Sequence, residues 1–269
     1  MAQFDFCSDL HIDYWNPKWR TLHMKYGPVS DHPLNWNKMN RKSDILVIAG
    51  DVSDKLEYSI EYIKSIRKYY RKILFVDGNH EHTYQYPKLY SRDYIASQFK
   101  GLKNIHYLPK EDVIIGKTAF IGVCSWWDYG CKEDMEKCEE YVRKYSNSPD
   151  PAIIEGIALA KNILTRAKEE AEKLGKKLDR YENDDRVEDI VIVTHTVPLA
   201  KFSRNVETDH NQFLKNLNLM ERRKIKRWVF GHNHEEFFDT KYGIKMMCHP
   251  RGRPADYDRI NYDLRTSNL

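Results

Sequence analysis

Five short apolar runs in this chain end on residues that can hold a divalent metal. Phe4–Ser8 leads into Asp9-Leu10-His11, Ile45–Ala49 into Gly50-Asp51, and Ile73–Asp77 into Gly78-Asn79-His80-Glu81. Ile190–Thr194 leads into His195, and Arg227–Phe230 into Gly231-His232-Asn233-His234. Carboxylates, an amide and imidazoles form a mixed oxygen and nitrogen donor set, suited to Mn2+, Fe2+, Zn2+ or Ni2+. Singly the motifs are weak: Asp-x-His arises by chance, Gly-Asp says little, and a lone buried histidine is usually a hydrogen-bonded core residue. Gly-His-Asn-His carries more, because two imidazoles in one turn after a buried strand have little packing value. The ordered series, with every member directly after an apolar strand, is the strong signal.

Such residues meet only if strands carry them to one crevice, as strand-end loops do in α/β sheets. The coarse pattern is short strand, turn, helix, repeated, which points to an α/β architecture. Strands are expected at Ala2–Ser8, Ile45–Ala49, Ile73–Val76, Ile105–Leu108, Val113–Ile115 and Thr118–Val123. Further strands are expected at Ile190–Val193, Trp228–Phe230, Phe237–Asp239 and Ile244–Met247. Helical spacing marks Lys55–Tyr70, and Pro87–Phe99 can form another helix with Pro87 in its first turn. The 269 residues suit one large domain, 1–269, interrupted by a loop insertion at about 14–43 and a helical insertion at about 129–186. The first insertion is either a surface loop stiffened by Trp15, Trp19 and Trp36 or a flap facing substrate. In the second, Ile153, Ile157, Ala160, Leu164, Ala167, Ala171 and Leu174 follow a heptad seam. That seam fits an amphipathic helix packed on its own domain, or else a dimer contact or movable cap. The chain is accordingly expected to be a monomer or a homodimer.

Composition narrows the function. Hydrophobic residues at 41% supply a packed core, so disorder over the whole chain is excluded. Lys+Arg 44 against Asp+Glu 40 permits an anionic substrate without marking a protein that coats nucleic acid. The five cysteines form no CxxC pair, which fits neither a disulfide framework nor a structural zinc site. No stretch nears the roughly 20 apolar residues of a membrane span, and the first residues lack a signal peptide's basic and apolar regions. A cytoplasmic protein without membrane contact is the expectation.

The order Asp-x-His, Gly-Asp, Gly-Asn-His-Glu, His, Gly-His-x-His resembles the calcineurin-like metallophosphoesterase superfamily, over Asp9 to His234. Ser8-Asp9-Leu10-His11 is similar to the opening of its small bacterial and phage branch. Cys248-His249-Pro250-Arg251-Gly252 is similar to the Asn-Pro-Arg-Gly segment of those members. The resemblance implies an α/β four-layer sandwich, two mixed β-sheets face to face and flanked by helices, with a metal site at the strand ends. It assigns Asp9, His11 and His234 to one ion, Asn79, His195 and His232 to a second, and Asp51 as a bridge between them. His80 matches the histidine that faces the scissile phosphate without binding metal. Serine/threonine phosphatases continue the second motif with Arg-Gly; here it reads Gly50-Asp51-Val52-Ser53-Asp54-Lys55, which argues against that branch.

The implied enzyme is a dinuclear metal-dependent phosphohydrolase, read as a phosphodiesterase from the likeness to the small branch. Two divalent ions, Mn2+ foremost in vitro with Fe, Zn or Ni as alternatives, would generate a bridging hydroxide nucleophile. The substrate would be a phosphate ester, with nucleotides and nucleic acids among the candidates. A nuclease and a phosphomonoesterase are the alternatives, and a non-enzymatic scaffold is disfavoured because no ligand position is degenerate. Arg251 could pair with a substrate phosphate, as could Arg253, and Trp127 or Trp126 could stack on a leaving group. Core packing is expected for at least one tryptophan, since alternation sends the pair to opposite faces. Glu81 reads either as a partner orienting a ligand or as a surface or capping residue. The cluster Arg222, Arg223, Lys224, Lys226 and Arg227 reads as a solvated helix end.

Overall fold

Strands β1 (Gln3–Cys7), β2 (Ile45–Ala49), β3 (Lys72–Val76) and β4 (Ile105–Tyr107) lie parallel in one sheet. β11 (Arg265–Asn268) closes it antiparallel to β1, giving the order β11-β1-β2-β3-β4. The second sheet has the order β5-β6-β7-β8-β10-β9, from Val113–Ile115, Thr118–Gly122, Asp189–Val193, Ile225–Phe230, Ile244–Cys248 and Phe237–Lys241. Its four central strands are parallel and its edge strands β5 and β9 antiparallel. The computed structural model describes residues 3–19, 30–128, 151–202, 210–256 and 259–268.

Strand alternation builds the layers. Phe4 and Phe6, Val47 and Ala49, Leu74 and Val76 point inward and meet Phe120, Val191, Val193 and Val229 of the facing sheet. The intervening Leu46, Ile48, Ile73 and Phe75 point outward, where Ile60, Ile63 and Ile66 of the helix Leu56–Ile66 cover them. On the far side Ile190, Ile192, Trp228 and Phe230 pack under Ala171, Leu174, Leu178 and Tyr181 of one long helix, Pro151–Glu182. Helix, sheet, sheet and helix thus form the expected four layers, and the central parallel strands β2, β3, β6 and β7 are buried on both faces.

The long helix settles the periodic seam from Ala160 onward: Ala160, Leu164, Ala167, Ala171 and Leu174 are buried in their own domain. The side chains of Ile153 and Ile157 lie outside the described residues, as do residues 20–29 and 129–150 of the two insertions. Residues Pro87–Tyr90 are not helical, and the helix there is short, Arg92–Ser97. His82 Nδ1 accepts the Tyr90 N–H at 2.9 Å, and the Ser91 hydroxyl caps Tyr94 N–H at 3.1 Å, so the helix begins at the serine. The basic cluster does begin at a helix end, with Arg222 capping the 3-10 turn Leu219–Glu221, but it is not solvated throughout. It leads into β8, where Arg227 is 8% exposed and donates to the Ser267 hydroxyl at 3.0 Å.

Candidate metal centre

The C-terminal ends of five parallel strands face one another. β1 delivers Asp9 and His11, β2 Asp51, β3 Asn79 and His80, β7 His195, and β8 His232 and His234. Loop backbones are stitched together there: Asp9 N–H donates to Gly50 C=O at 3.0 Å, His11 N–H to Asp51 C=O at 3.1 Å and Gly231 N–H to His195 C=O at 2.9 Å. Asp9, His11, Asp51, His232 and His234 all have left-handed backbones, with φ of 48, 41, 54, 76 and 54°. Such conformations cost non-glycine residues about 1–3 kcal/mol each and persist where surrounding structure enforces them, as at functional sites. Gly50, at φ 80°, has no alternative: a Cβ there would sit 2.5 Å from His195 Nδ1.

Three donor constellations result among the described residues: Asp51 belongs to two of them, and His11, Asp54 and His80 form the third. Asp9, His11, Asp51 and His234 bring one ligand atom each within 4.8 Å of one another, and so do Asp51, His195 and His232. Asn79 joins the second, its Oδ1 lying 3.0 Å from His195 Nε2. Hydrogen bonds behind the rings fix their tautomers. His195 Nδ1 lies 2.8 Å from the Ala49 carbonyl, which only accepts, so Nδ1 carries a proton. The Nε2 of a neutral His195 then aims its lone pair at Asn79 Oδ1 and, at 3.2 Å, at Asp51 Oδ2, both acceptors. His234 repeats the arrangement: Nδ1 donates to Asp256 Oδ2 at 2.5 Å, while Nε2 faces His11 Nε2 at 2.9 Å and Asp9 Oδ1 at 3.5 Å. A positive charge between these groups satisfies them: a proton on the ring does so in the metal-free site, and a divalent ion can take that proton's place. The residues therefore fit a divalent ion in each constellation that shares Asp51.

Protonation follows the same logic. Burial disfavours charge on His195, but Asp51 outweighs it and pushes the imidazole up to about 10. Burial likewise opposes ionisation of Asp51, and His195 and His80 overcome it, holding the carboxylate well below its usual range. The site is thus built to gather positive charge around one carboxylate.

His80 stands at its edge. Its Nδ1 donates to Asp54 Oδ1 at 2.7 Å, Arg253 Nη2 lies 2.8 Å from its Nε2, and its Nε2 is 3.9 Å from Asp51 Oδ2. Burial works against the charged ring, while Asp51 and the Asp54 hydrogen bond raise its pKa. Asp54, which also accepts from the Tyr14 hydroxyl at 2.8 Å, received no role from sequence reasoning. Its position three residues after Asp51 was the available signal. Arg251 and Arg253 separate sharply. Arg251 is 1% exposed, lies over the Trp15 ring at 4.1 Å and donates to the His32 carbonyl at 2.5 Å, whereas Arg253 reaches His80. Trp126 is core, against Ile163 and Ala167, while Trp127 stacks on the His232 ring at 5.6 Å and 21°. Glu81 is no surface residue. Its carboxylate accepts from the backbone N–H of Gly78 (2.7 Å), Asp51 (3.1 Å), Val52 (2.7 Å) and Ser53 (3.4 Å), and from the Ser59 hydroxyl (2.8 Å). It shapes the loop that presents Asp51.

Two facing mixed sheets with carboxylates and imidazoles massed at their strand ends define a metal-dependent hydrolase. Residues 2–236 match the calcineurin-like phosphoesterase family, and the chain belongs to it. That membership, with the donor clusters, supports a hydrolase that acts on phosphate esters and binds divalent metal. The chain is 27% identical over 286 residues to an uncharacterized protein, L509, of Acanthamoeba polyphaga mimivirus, covering 95% of this chain and 93% of that one. In fold it is similar to the phosphopantetheinyl hydrolase of Mycobacterium tuberculosis, with TM-score 0.66, 16% identity, and 99% and 95% of the two chains covered. It is also similar to a dimetal phosphatase from Danio rerio, with TM-score 0.59, 11% identity, and 100% and 92% covered. Among the described residues no helix is long and apolar enough to cross a membrane.

Proposed function

We propose that this chain is a two-metal phosphodiesterase. Asp9, His11, Asp51 and His234 would hold one ion, and Asp51, Asn79, His195 and His232 the other. The observation that carries the reading is the sharing of Asp51 by two constellations whose imidazole lone pairs point at acceptors rather than donors. The bound ions would supply an activated water and electrostatic clamping of phosphate oxygens. The chain's own residues do the rest. Glu81 fixes the Asp51 loop, Asp54 fixes the His80 ring, and His80 stands where a leaving alkoxide needs a proton. Arg253, beside His80, is the guanidinium placed to receive a phosphate oxygen. The diester preference rests on the likeness of the Ser8-Asp9-Leu10-His11 opening to the small bacterial and phage branch.

One observation favours a monoesterase instead: Arg253 adds a cation that a dianionic phosphate uses better than a monoanionic one. The deciding experiment strips the protein of metal, reloads it with Mn2+ and compares bis-p-nitrophenyl phosphate with p-nitrophenyl phosphate. Faster diester turnover, lost in His80→Ala, supports the proposal. Faster monoester turnover overturns the diester assignment and leaves the two-ion centre standing.

A further inference from the structure

Glu170 lies in the middle of the Pro151–Glu182 helix and is 0% exposed, an unusual place for a carboxylate. Its Oε2 accepts the Ser125 N–H at 2.7 Å, and its Oε1 accepts Arg92 Nε and Nη2 at 3.2 and 3.1 Å. Burial pushes its pKa up and Arg92 works against that. Ser125 has a left-handed backbone, φ 65°, in the turn where the chain leaves β6. That turn holds the segment that follows β7. Cys124 C=O accepts the N–H of both His195 (2.9 Å) and Thr196 (3.1 Å), and Ser125 C=O accepts the Thr196 hydroxyl. Two residues on, the Trp127 indole stacks on His232. Both imidazoles the turn reaches belong to the second constellation.

The structure assigns Glu170 as a positioning residue for that second constellation, acting through the Ser125 turn on the His195 backbone and the His232 ring. This rests on the two-ion reading above. A buried N–H with no acceptor is costly, and a left-handed serine has no strand or helix partner to supply one. Glu170 supplies it from the helical insertion, with Arg92 balancing the charge. Removing the acceptor frees the turn to relax, and Trp127 and His195 move with it. The other constellation takes Asp9 and His11 from β1 and has His234 held by Asp256; it meets the turn's two imidazoles one step removed, through the shared Asp51 and through Asp9, which accepts the His232 N–H at 3.0 Å.

The test titrates metal-free protein with Co2+ by visible absorption and follows amide exchange of residues 124–127 by mass spectrometry. In Glu170→Ala we expect the second Co2+ equivalent to weaken about tenfold or more, the scale on which partners of metal ligands act. The first equivalent stays within about twofold, and exchange at the turn accelerates without metal. Glu170→Gln, which keeps one oxygen for Ser125, should recover most of the second equivalent. Arg92→Ala removes the closer of Glu170's two ion pairs, leaving Arg166 at 3.9 Å and the Ser125 acceptor in place; it should lower Tm and spare the second equivalent. If both equivalents weaken together, or neither changes and exchange is unaltered, the assignment is overturned. The same holds if Arg92→Ala matches Glu170→Ala, since the carboxylate would then be structural. Should Glu170→Ala not fold, Glu170→Gln against Arg92→Ala gives the same comparison. Single-step uptake by the unmodified protein, with the exchange effect present, would instead sink the two-ion reading while the link from Glu170 to the turn stands.

Discussion

Asp54→Asn isolates what the Asp54–His80 pair does. The Nδ1–Oδ1 separation is 2.7 Å, and the two side chains are only 14% and 8% exposed, so water screens them little. A hydrogen bond involving a charged group contributes about 1.5–3 kcal/mol, which converts to roughly 10- to 150-fold in rate if the bond matters only in the transition state. The amide can still accept the His80 proton through its oxygen, and its nitrogen can turn to the Tyr14 hydroxyl. Folding should therefore survive, and the effect should fall on kcat. His80→Ala removes the proton donor outright and should cost about 10²–10⁴-fold. Because Asp54 acts through His80, the double variant should be no slower than His80→Ala alone. The assay is turnover of the preferred p-nitrophenyl ester with metal content measured on the same samples. There is a competing arrangement: His11, Asp54 and His80 also bring ligand atoms within 4.8 Å of one another. Loss of one metal equivalent in Asp54→Asn would mean that Asp54 is a ligand. Metal-replete protein turning over within twofold of the parent would refute the pairing argument.

Asp51→Asn should lower metal content at both constellations, because an amide is a poorer bridge than a carboxylate; two ions retained per chain, measured by atomic emission, would contradict the shared role. Glu81→Ala strands several buried donors, including the Val52 amide at 2.7 Å, and should destabilise the metal-free protein by about 2–4 kcal/mol in urea melts. An unchanged midpoint would show that water replaces the carboxylate. Leu174→Ala, at a fully buried seam position, should cost about 2–5 kcal/mol independently of protein concentration. A concentration-dependent loss would point to a subunit contact instead.

The candidate ligands and the parallel strands were legible because both signals are local. A continuous apolar run such as Ile45–Ala49 declares a strand buried on both faces, and the ligand follows it within two residues. Elements whose identity depends on a partner were not legible. Arg265–Asn268 is polar and carries no alternation; it is a strand because β1 offers it an edge. Pro87–Tyr90 has helical composition, but its backbone answers to His82. Charge behaves the same way. Arg251 and Arg253 are two residues apart and chemically identical, and only the packing of Trp15 over one and His80 beside the other distinguishes them. Asp54 and Glu170 look in sequence like any carboxylates, and Glu81 reads equally as a ligand's partner or a surface residue. Their roles arise from backbone N–H groups and rings brought to them from distant segments. Sequence thus determined which side chains could do chemistry and on which strand ends they sit. Tertiary structure decided which groups hold them, because hydrogen bonding and burial are properties of what surrounds a residue.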